Sequence, residues 1–450
     1  MHRFIQRALC DIRAKSVVEW IEWVGLAGLF LFTFGIFNKS WIAVRGIALM
    51  AISFLILSRS SAKEWTRDRL FCLPLVFLLF LALRSFGRTL EFENGGALSM
   101  DGTVTHLAAG FLLTFLVAYW VNRASGRWDW LMLMWMAGFL AQILRKMEWA
   151  GGLDMVYQFW IGARRATFGS SAVLFGLWSS IVFLGCLLLD REFLHGPANR
   201  IGTWARRGFW LIVTLVSFAG LLFSQSRSSW LAAGAVILPS VAWRQFKHRG
   251  RRSSRLYVAA LIVILASLFL VSFPEVLVDR ISSSIEIIRN LFSEDGLSAL
   301  GPESLNTIPV YERVKIYQLF WESWKKRPWI GYGPGSSEAL LEASEVDFKA
   351  GYRDFHSLPF EILIQTGIIG ITLFAVTLAV VFKQARTAAS SDDRRQPYLL
   401  LALGGCIMIL IYGFFSYPFS NIRGVYLFAF LCGVCYESKF SKTTAPHGTR

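Results

Sequence analysis

Apolar residues run along this chain in long blocks, near 19–37, 41–57, 70–84, 105–121, 129–146, 171–189, 208–223, 230–243, 256–273, 358–382, 397–415 and 420–436. The blocks are continuous and do not alternate with polar positions, so they fit helices and not the strands of a closed barrel. A mostly apolar run of about 18 residues is long enough to cross a bilayer as a helix. The pattern predicts an all-α polytopic membrane protein with about 12 transmembrane helices. One polar stretch, 274–357, interrupts the series. It divides the chain into helices 1–9 over 1–273, a loop subdomain over 274–357, and helices 10–12 with a tail over 358–450. A connection of about 84 residues far exceeds the usual handful, and connections of that size commonly carry function.

The long loop has a pattern of its own. Ile281, Ile285, Ile288 and Phe292 fall at helical spacing and predict an amphipathic helix over 280–292 lying against the membrane or the bundle. Residues 296–307 are rich in Gly, Ser and Pro. A second helix is predicted from Tyr311 to Lys326, with Val314, Tyr317, Phe320 and Trp324 on one side and Pro328 as its stop. The sequence Gly331-Tyr332-Gly333-Pro334-Gly335 then predicts a tight turn whose backbone amides are available to an anion.

Composition agrees with the pattern: 55% of residues are hydrophobic, 17% are charged, and mean hydropathy is +0.49. Soluble domains average about 25% charged residues. The net charge of +16 suggests a nucleic-acid partner until its distribution is read. The alternate loops 58–69, 122–128, 190–207, 244–255 and 383–396, with both tails, hold about 27 Lys and Arg, against about 6 in the short outer loops. That is a topology signal, not a nucleic-acid surface. It predicts cytoplasmic termini and an extracytoplasmic 274–357 loop. Residues 1–18 lack the short apolar core of a cleavable signal, so the first helix is expected to serve for insertion. Cys432 and Cys435 form a CxxC without a second pair or a nearby His, too little for a metal site. The loop holds no cysteine.

His356 is the only His in the long loop and stands directly before an apolar block, in Asp354-Phe355-His356-Ser357. Imidazole titrates near neutral pH and suits general-base work. The alternative is a structural His at a helix start, and His106 is the rival candidate. Arg227 sits in Ser224-Gln225-Ser226-Arg227-Ser228-Ser229 between two spans; it either snorkels to lipid phosphate or lines a polar pocket. Guanidinium is the group that grips phosphate oxygens with two prongs. Arg313 opens the second loop helix beside Glu312. Arg164 and Arg165 are adjacent, so only one is expected to face inward, and Arg145 and Lys146 lie near the same surface. Together these form an outer positive surface, which runs against the topology rule. Glu361 is either an interfacial ion partner or the group that orients His356. No Asp-x-Asp metal motif occurs in the loop.

Ser224-Gln225-Ser226-Arg227, then Arg313, Trp321, Pro328 and Gly331-Tyr332-Gly333, then His356-Ser357 and Gly367-Ile368-Ile369-Gly370, resemble the O-antigen ligase and polysaccharide polymerase superfamily. The resemblance covers roughly 224–370. Ser357 stands where the family often has Asn, and Arg165-Ala166-Thr167-Phe168-Gly169-Ser170 resembles the earlier Arg motif without its usual Asn-Pro. The resemblance implies a GT-C-like helical glycosyltransferase of the bacterial inner membrane with a periplasmic site. It implies an undecaprenyl-pyrophosphate-linked glycan as donor, an inverting metal-independent reaction, and no cofactor. His356 would be the general base; Arg227 and Arg313, with Arg165 or Arg164, would hold the diphosphate. The acceptor would be lipid A core in a ligase or a second lipid-linked glycan in a polymerase, and these residues do not separate the two. A polysaccharide transporter or flippase would place its charges at the midplane instead of at the outer ends. A non-catalytic scaffold would leave His356 dispensable.

Overall fold

The computed structural model describes residues 17–38, 40–59, 65–89, 103–124, 126–147, 157–159, 165–190, 200–247, 308–344, 352–389 and 395–440. Eight helices precede the long loop: α1 (Val17–Gly35), α2 (Ser40–Leu57), α3 (Arg69–Thr89), α4 (Thr103–Arg123), α5 (Trp128–Lys146), α6 (Ala172–Leu188), α7 (Arg200–Phe223) and α8 (Arg227–Lys247). The loop supplies α9 (Ile308–Lys326) and the short α10 (Ser336–Glu342). Three more follow: α11 (Leu358–Ala389), α12 (Gln396–Gly413) and α13 (Ile422–Tyr436). Among the described residues there is no strand.

Eleven of the twelve predicted apolar blocks coincide with these helices. The ninth, 256–273, lies outside the described residues, as do the predicted helix over 280–292, the 296–307 stretch and Arg164. Among the described residues six helices are long and apolar enough to cross a membrane: α1, α2, α4, α7, α11 and α12. The chain is a multi-pass membrane protein. Its outward faces agree, since Ile52, Leu55, Leu79, Leu83 and Leu238 are all exposed. Such a surface would be a liability in water and is ordinary against lipid chains.

Packing inside the bundle relies on small residues and on large aromatics. At the α1–α2 crossing a Cβ on Gly28 would lie 2.8 Å from the Gly46 carbonyl oxygen, and one on Gly46 would lie 2.5 Å from the Phe32 nitrogen. Only glycine allows backbones that close, which is how helices gain contact in lipid. Trp120, Trp135 and Trp178 are fully buried at the centre, and the Trp120 indole N–H donates to Met50 O at 3.0 Å. At the end opposite the long loop, the Tyr436 hydroxyl donates to Asp68 at 2.9 Å, and Arg395 pairs with Glu437 at 2.9 Å.

The helix that leads out of the long loop is broken. Gly367 of α11 has φ 63° and ψ −163°, a conformation favoured only by glycine. Two helical hydrogen bonds, from Ile368 to Ile364 and from Ile369 to Gln365, are replaced by four bonds to the loop. Tyr332 N–H donates to Ile364 O (2.8 Å) and Gly333 N–H to Gln365 O (2.9 Å). Ile368 N–H donates to Pro328 O (2.9 Å) and Ile369 N–H to Trp329 O (3.1 Å). Residues 328–333 thus thread into the helix break and satisfy the groups it frees.

Candidate functional site

The outer subdomain is built on the amphipathic face of α9. Ile316 and Phe320, one turn apart, bury with Tyr332, Leu341, Phe355 and Ile364. Phe320 stacks on Phe360 at 4.1 Å and meets Phe355 edge-on at 5.9 Å. The Tyr332 hydroxyl donates to Ser323 O at 2.9 Å, tying the turn to the end of α9. This small core fixes the backbone on either side of His356.

His356 itself has φ 52°, the left-handed region that few residues with a Cβ adopt. Asp354 holds it there. Its Oδ1 accepts the His356 backbone N–H at 2.8 Å and lies 3.1 Å from the imidazole Nδ1. With Nδ1 engaged, Nε2 is the nitrogen left for a substrate. The Tyr352 ring meets the imidazole edge-on at 4.7 Å, and its hydroxyl donates to Glu312 Oε2 at 2.6 Å. Burial, and then the Glu312 carboxylate, push the Tyr352 hydroxyl above its ordinary range, so it stays a donor.

Glu361 holds the backbone beside His356. Its side chain is buried and accepts from the Phe355 backbone N–H (3.0 Å) and from Gln365 Nε2 (2.7 Å). The same Gln365 nitrogen lies 3.1 Å from Ser337 Oγ, and Gln365 Oε1 accepts from Gly335 N–H at 3.2 Å. Glu361 and Gln365, one turn apart, therefore link the His356 loop, α10 and the 331–335 turn into one unit. The anion-facing turn expected from the glycines is overturned. Tyr332, Gly333 and Gly335 spend their amides on α11, and Gly331 N–H donates to Arg327 O. The glycines are there for contact: a Cβ on Gly331 would lie 2.5 Å from the Gln365 carbonyl carbon.

The cations come from several elements. Arg313 is exposed on the first turns of α9, beside Glu312. Arg227 is exposed at the first position of α8, after Gln225 in the left-handed region at φ 49°. Ser226 caps that helix, accepting from Ser229 N–H at 3.3 Å. Arg165 grips the same turn from outside, donating through Nε to Ser224 O (2.9 Å) and through a terminal nitrogen to Gln225 O (3.4 Å). It thus braces the segment that presents Arg227. Arg313, Asp354 and Arg165 all act electrostatically on one buried group, the Tyr412 hydroxyl near the end of α12. That shared neighbour brings the α9 cation, the His356 loop and the Arg165 brace to one region. His106 is half-buried in the first turn of α4.

Several participants had no local sequence signal. The sequence pattern does not pair Asp354 with His356. Tyr352, Tyr412 and Gln365 were not singled out. Arg84 of α3 donates to Gly331 O at 2.9 Å across a separation of 247 residues. Arg145 and Lys146 are exposed at the end of α5. Arg145 donates to Asn38 O at 2.9 Å, and the Lys146 chain lies beside Gly169. Among the described residues no three His, Cys, Asp or Glu side chains converge as metal ligands would.

Residues 212–375 match the family model described as O-antigen ligase. The stretch runs from within α7 into α11 and holds Arg227, Arg313, Asp354, His356, Glu361 and the helix break. Arg165 and Tyr412 lie outside it. No curated protein matches the chain.

Proposed function

We propose that this chain, whose residues 212–375 match the O-antigen ligase family model, is an inverting glycosyltransferase of the bacterial inner membrane. In this reading it moves a glycan from undecaprenyl pyrophosphate to a sugar hydroxyl of lipid A core on the periplasmic side. The observation that supports the reading is the His356–Asp354 pair, which stands directly before a helix long and apolar enough to cross a membrane.

The acceptor hydroxyl oxygen attacks the anomeric carbon, the bond from that carbon to the pyrophosphate oxygen breaks, and the configuration inverts. His356 Nε2 takes the hydroxyl proton. Asp354 at Nδ1 fixes the ring and stabilises the imidazolium that forms. The leaving group carries the new negative charge. Arg313 and Arg227 receive it, which is the stabilisation such a step needs most. Arg165 contributes positive charge nearby while it keeps the Arg227 turn in shape. The donor is a lipid, so a site at the membrane face spares it from leaving the bilayer.

The same residues serve a polymerase, in which the acceptor is a second lipid-linked glycan. The test is transfer by purified protein from a lipid-linked glycan with lipid A core or a second lipid-linked glycan offered separately. Product on lipid A core supports the ligase. Elongated lipid-linked glycan alone replaces it with the polymerase. No transfer to either overturns both.

A further inference from the structure

Three large apolar side chains stand out of the outer subdomain along one edge. Among the described residues Trp321 is 51% exposed, Trp329 65% and Ile330 39%. They are not among the buried residues of the subdomain's core, although the Trp321 ring lies 5.3 Å from that of Trp324, which packs against it. The Lys325 ammonium lies 5.0 Å from the centre of the Trp321 ring, and Lys326 is exposed in the same last turn. Glu322 is the exposed acid beside them.

The backbone sets where this edge sits. Trp329 O and Pro328 O accept from Ile369 and Ile368 of α11, so Trp329 is pinned to the helix break. Ile369 is itself exposed, on a helix apolar enough to span the membrane. The edge thus meets the exposed apolar side of α11 at Ile369, just past the helix break.

We propose that the edge formed by Trp321, Lys325, Lys326, Trp329 and Ile330 seats in the phospholipid headgroup layer of the outer leaflet. Indole rings favour that layer because their apolar body and polar N–H both find partners there. Lysines on long apolar stems reach lipid phosphates from the same position. Seating would hold the 328–333 turn at a fixed depth. Through Gln365 and Glu361 it would hold the His356 loop at that depth too. The seating stands on exposure and position alone and does not require the transferase reading.

The test uses the full chain with Cys10→Ser and Cys72→Ser, leaving the buried thiols. A fluorophore is attached at Ile330→Cys or, as a water-facing control, at the largely exposed Arg353→Cys. The protein is reconstituted in vesicles of phosphatidylethanolamine and phosphatidylglycerol. The label at 330 is expected to be quenched several-fold more than the control by a nitroxide lipid at headgroup depth, and several-fold less by aqueous iodide. Lys325→Glu with Lys326→Glu is expected to raise iodide quenching at 330; an unchanged value overturns the role given to the lysines. Iodide quenching equal to the control overturns the seating. So does protection from both quenchers, which would mean that a second copy or another protein covers the edge.

Discussion

Asp354 holds His356 at two points: its Oδ1 accepts the backbone N–H at 2.8 Å and stands 3.1 Å from Nδ1. One carboxylate thus fixes both the left-handed backbone of His356 and the direction of its ring. Asp354→Asn should slow transfer by about 10²–10⁴-fold, the range expected when a base loses its orienting carboxylate. The donor KM should change far less than kcat. Steady-state kinetics on the purified variant check this, and unaltered kcat would remove Asp354 from the reaction.

Glu361 holds the loop through the Phe355 N–H, which separates its variants. Glu361→Gln keeps an oxygen for the Phe355 N–H. Glu361→Ala leaves that N–H and the Gln365 amide without their buried acceptor, at a cost of about 1–3 kcal/mol for each orphaned group. Transfer should survive in part in Glu361→Gln and be lost in Glu361→Ala, with a matching fall in Tm. Equal loss in both variants would show that Glu361 acts through its charge.

Gly367 must stay glycine. A Cβ there would meet the Trp329 carbonyl carbon and oxygen at 2.3 Å, at a φ that only glycine holds without strain. The strain alone costs about 1–3 kcal/mol, before the clash. Gly367→Ala should release the 328–333 turn and expose the loop to protease. Gly208→Ala, where a Cβ meets nothing within 4 Å, should leave digestion unchanged.

Arg165 and Arg313 should fail differently. Arg165→Ala removes two donors to the Ser224 and Gln225 carbonyls, so both stability and donor binding should fall. Arg313→Lys should leave the stability within about 0.5 kcal/mol of wild type, as expected for an exposed position. It should lower transfer strongly, because an ammonium cannot copy a two-pronged guanidinium. Thermal unfolding beside donor titration distinguishes them; full activity in Arg313→Lys would take it out of the diphosphate site.

Tyr352 supplies a pH test. Its hydroxyl is pushed above the ordinary tyrosine range by burial and by Glu312. A folded-state value above the unfolded one means that its contribution is complete below about pH 10 and fades only as pH rises further. The stability lost in Tyr352→Phe, about 1 kcal/mol for a partly exposed bond to a carboxylate, should be constant from pH 6 to about 9. A difference that varies across that window would contradict the assignment.

The bundle was legible because a bilayer demands long apolar blocks, and each described block became a helix, although the blocks at 208–223 and 358–382 run on to 200–223 and 358–389. α9 was legible from the spacing of Phe320 and Trp324 and from Pro328. The break at Gly367 was not: Gly367 and Gly370 look alike in an apolar run, and the break exists because a turn from earlier in the chain docks there. The glycines of that turn were read as an anion cradle for the same reason, since their amides have no visible partner until α11 is placed. His356 stands out in the sequence by its position before a span. Asp354 was missed although only two residues away, because the pairing depends on the left-handed backbone of His356. Arg165 was found as a cation, but its hold on Ser224 spans 59 residues and had no local signal.

The most direct measurement is glycan transfer by purified wild type and His356→Ala, each given lipid-linked donor and lipid A core, with thermal unfolding confirming that both are folded. The expected result is product with wild type and none above background with the variant, at equal Tm. Wild-type-like product from a folded His356→Ala protein would contradict the account.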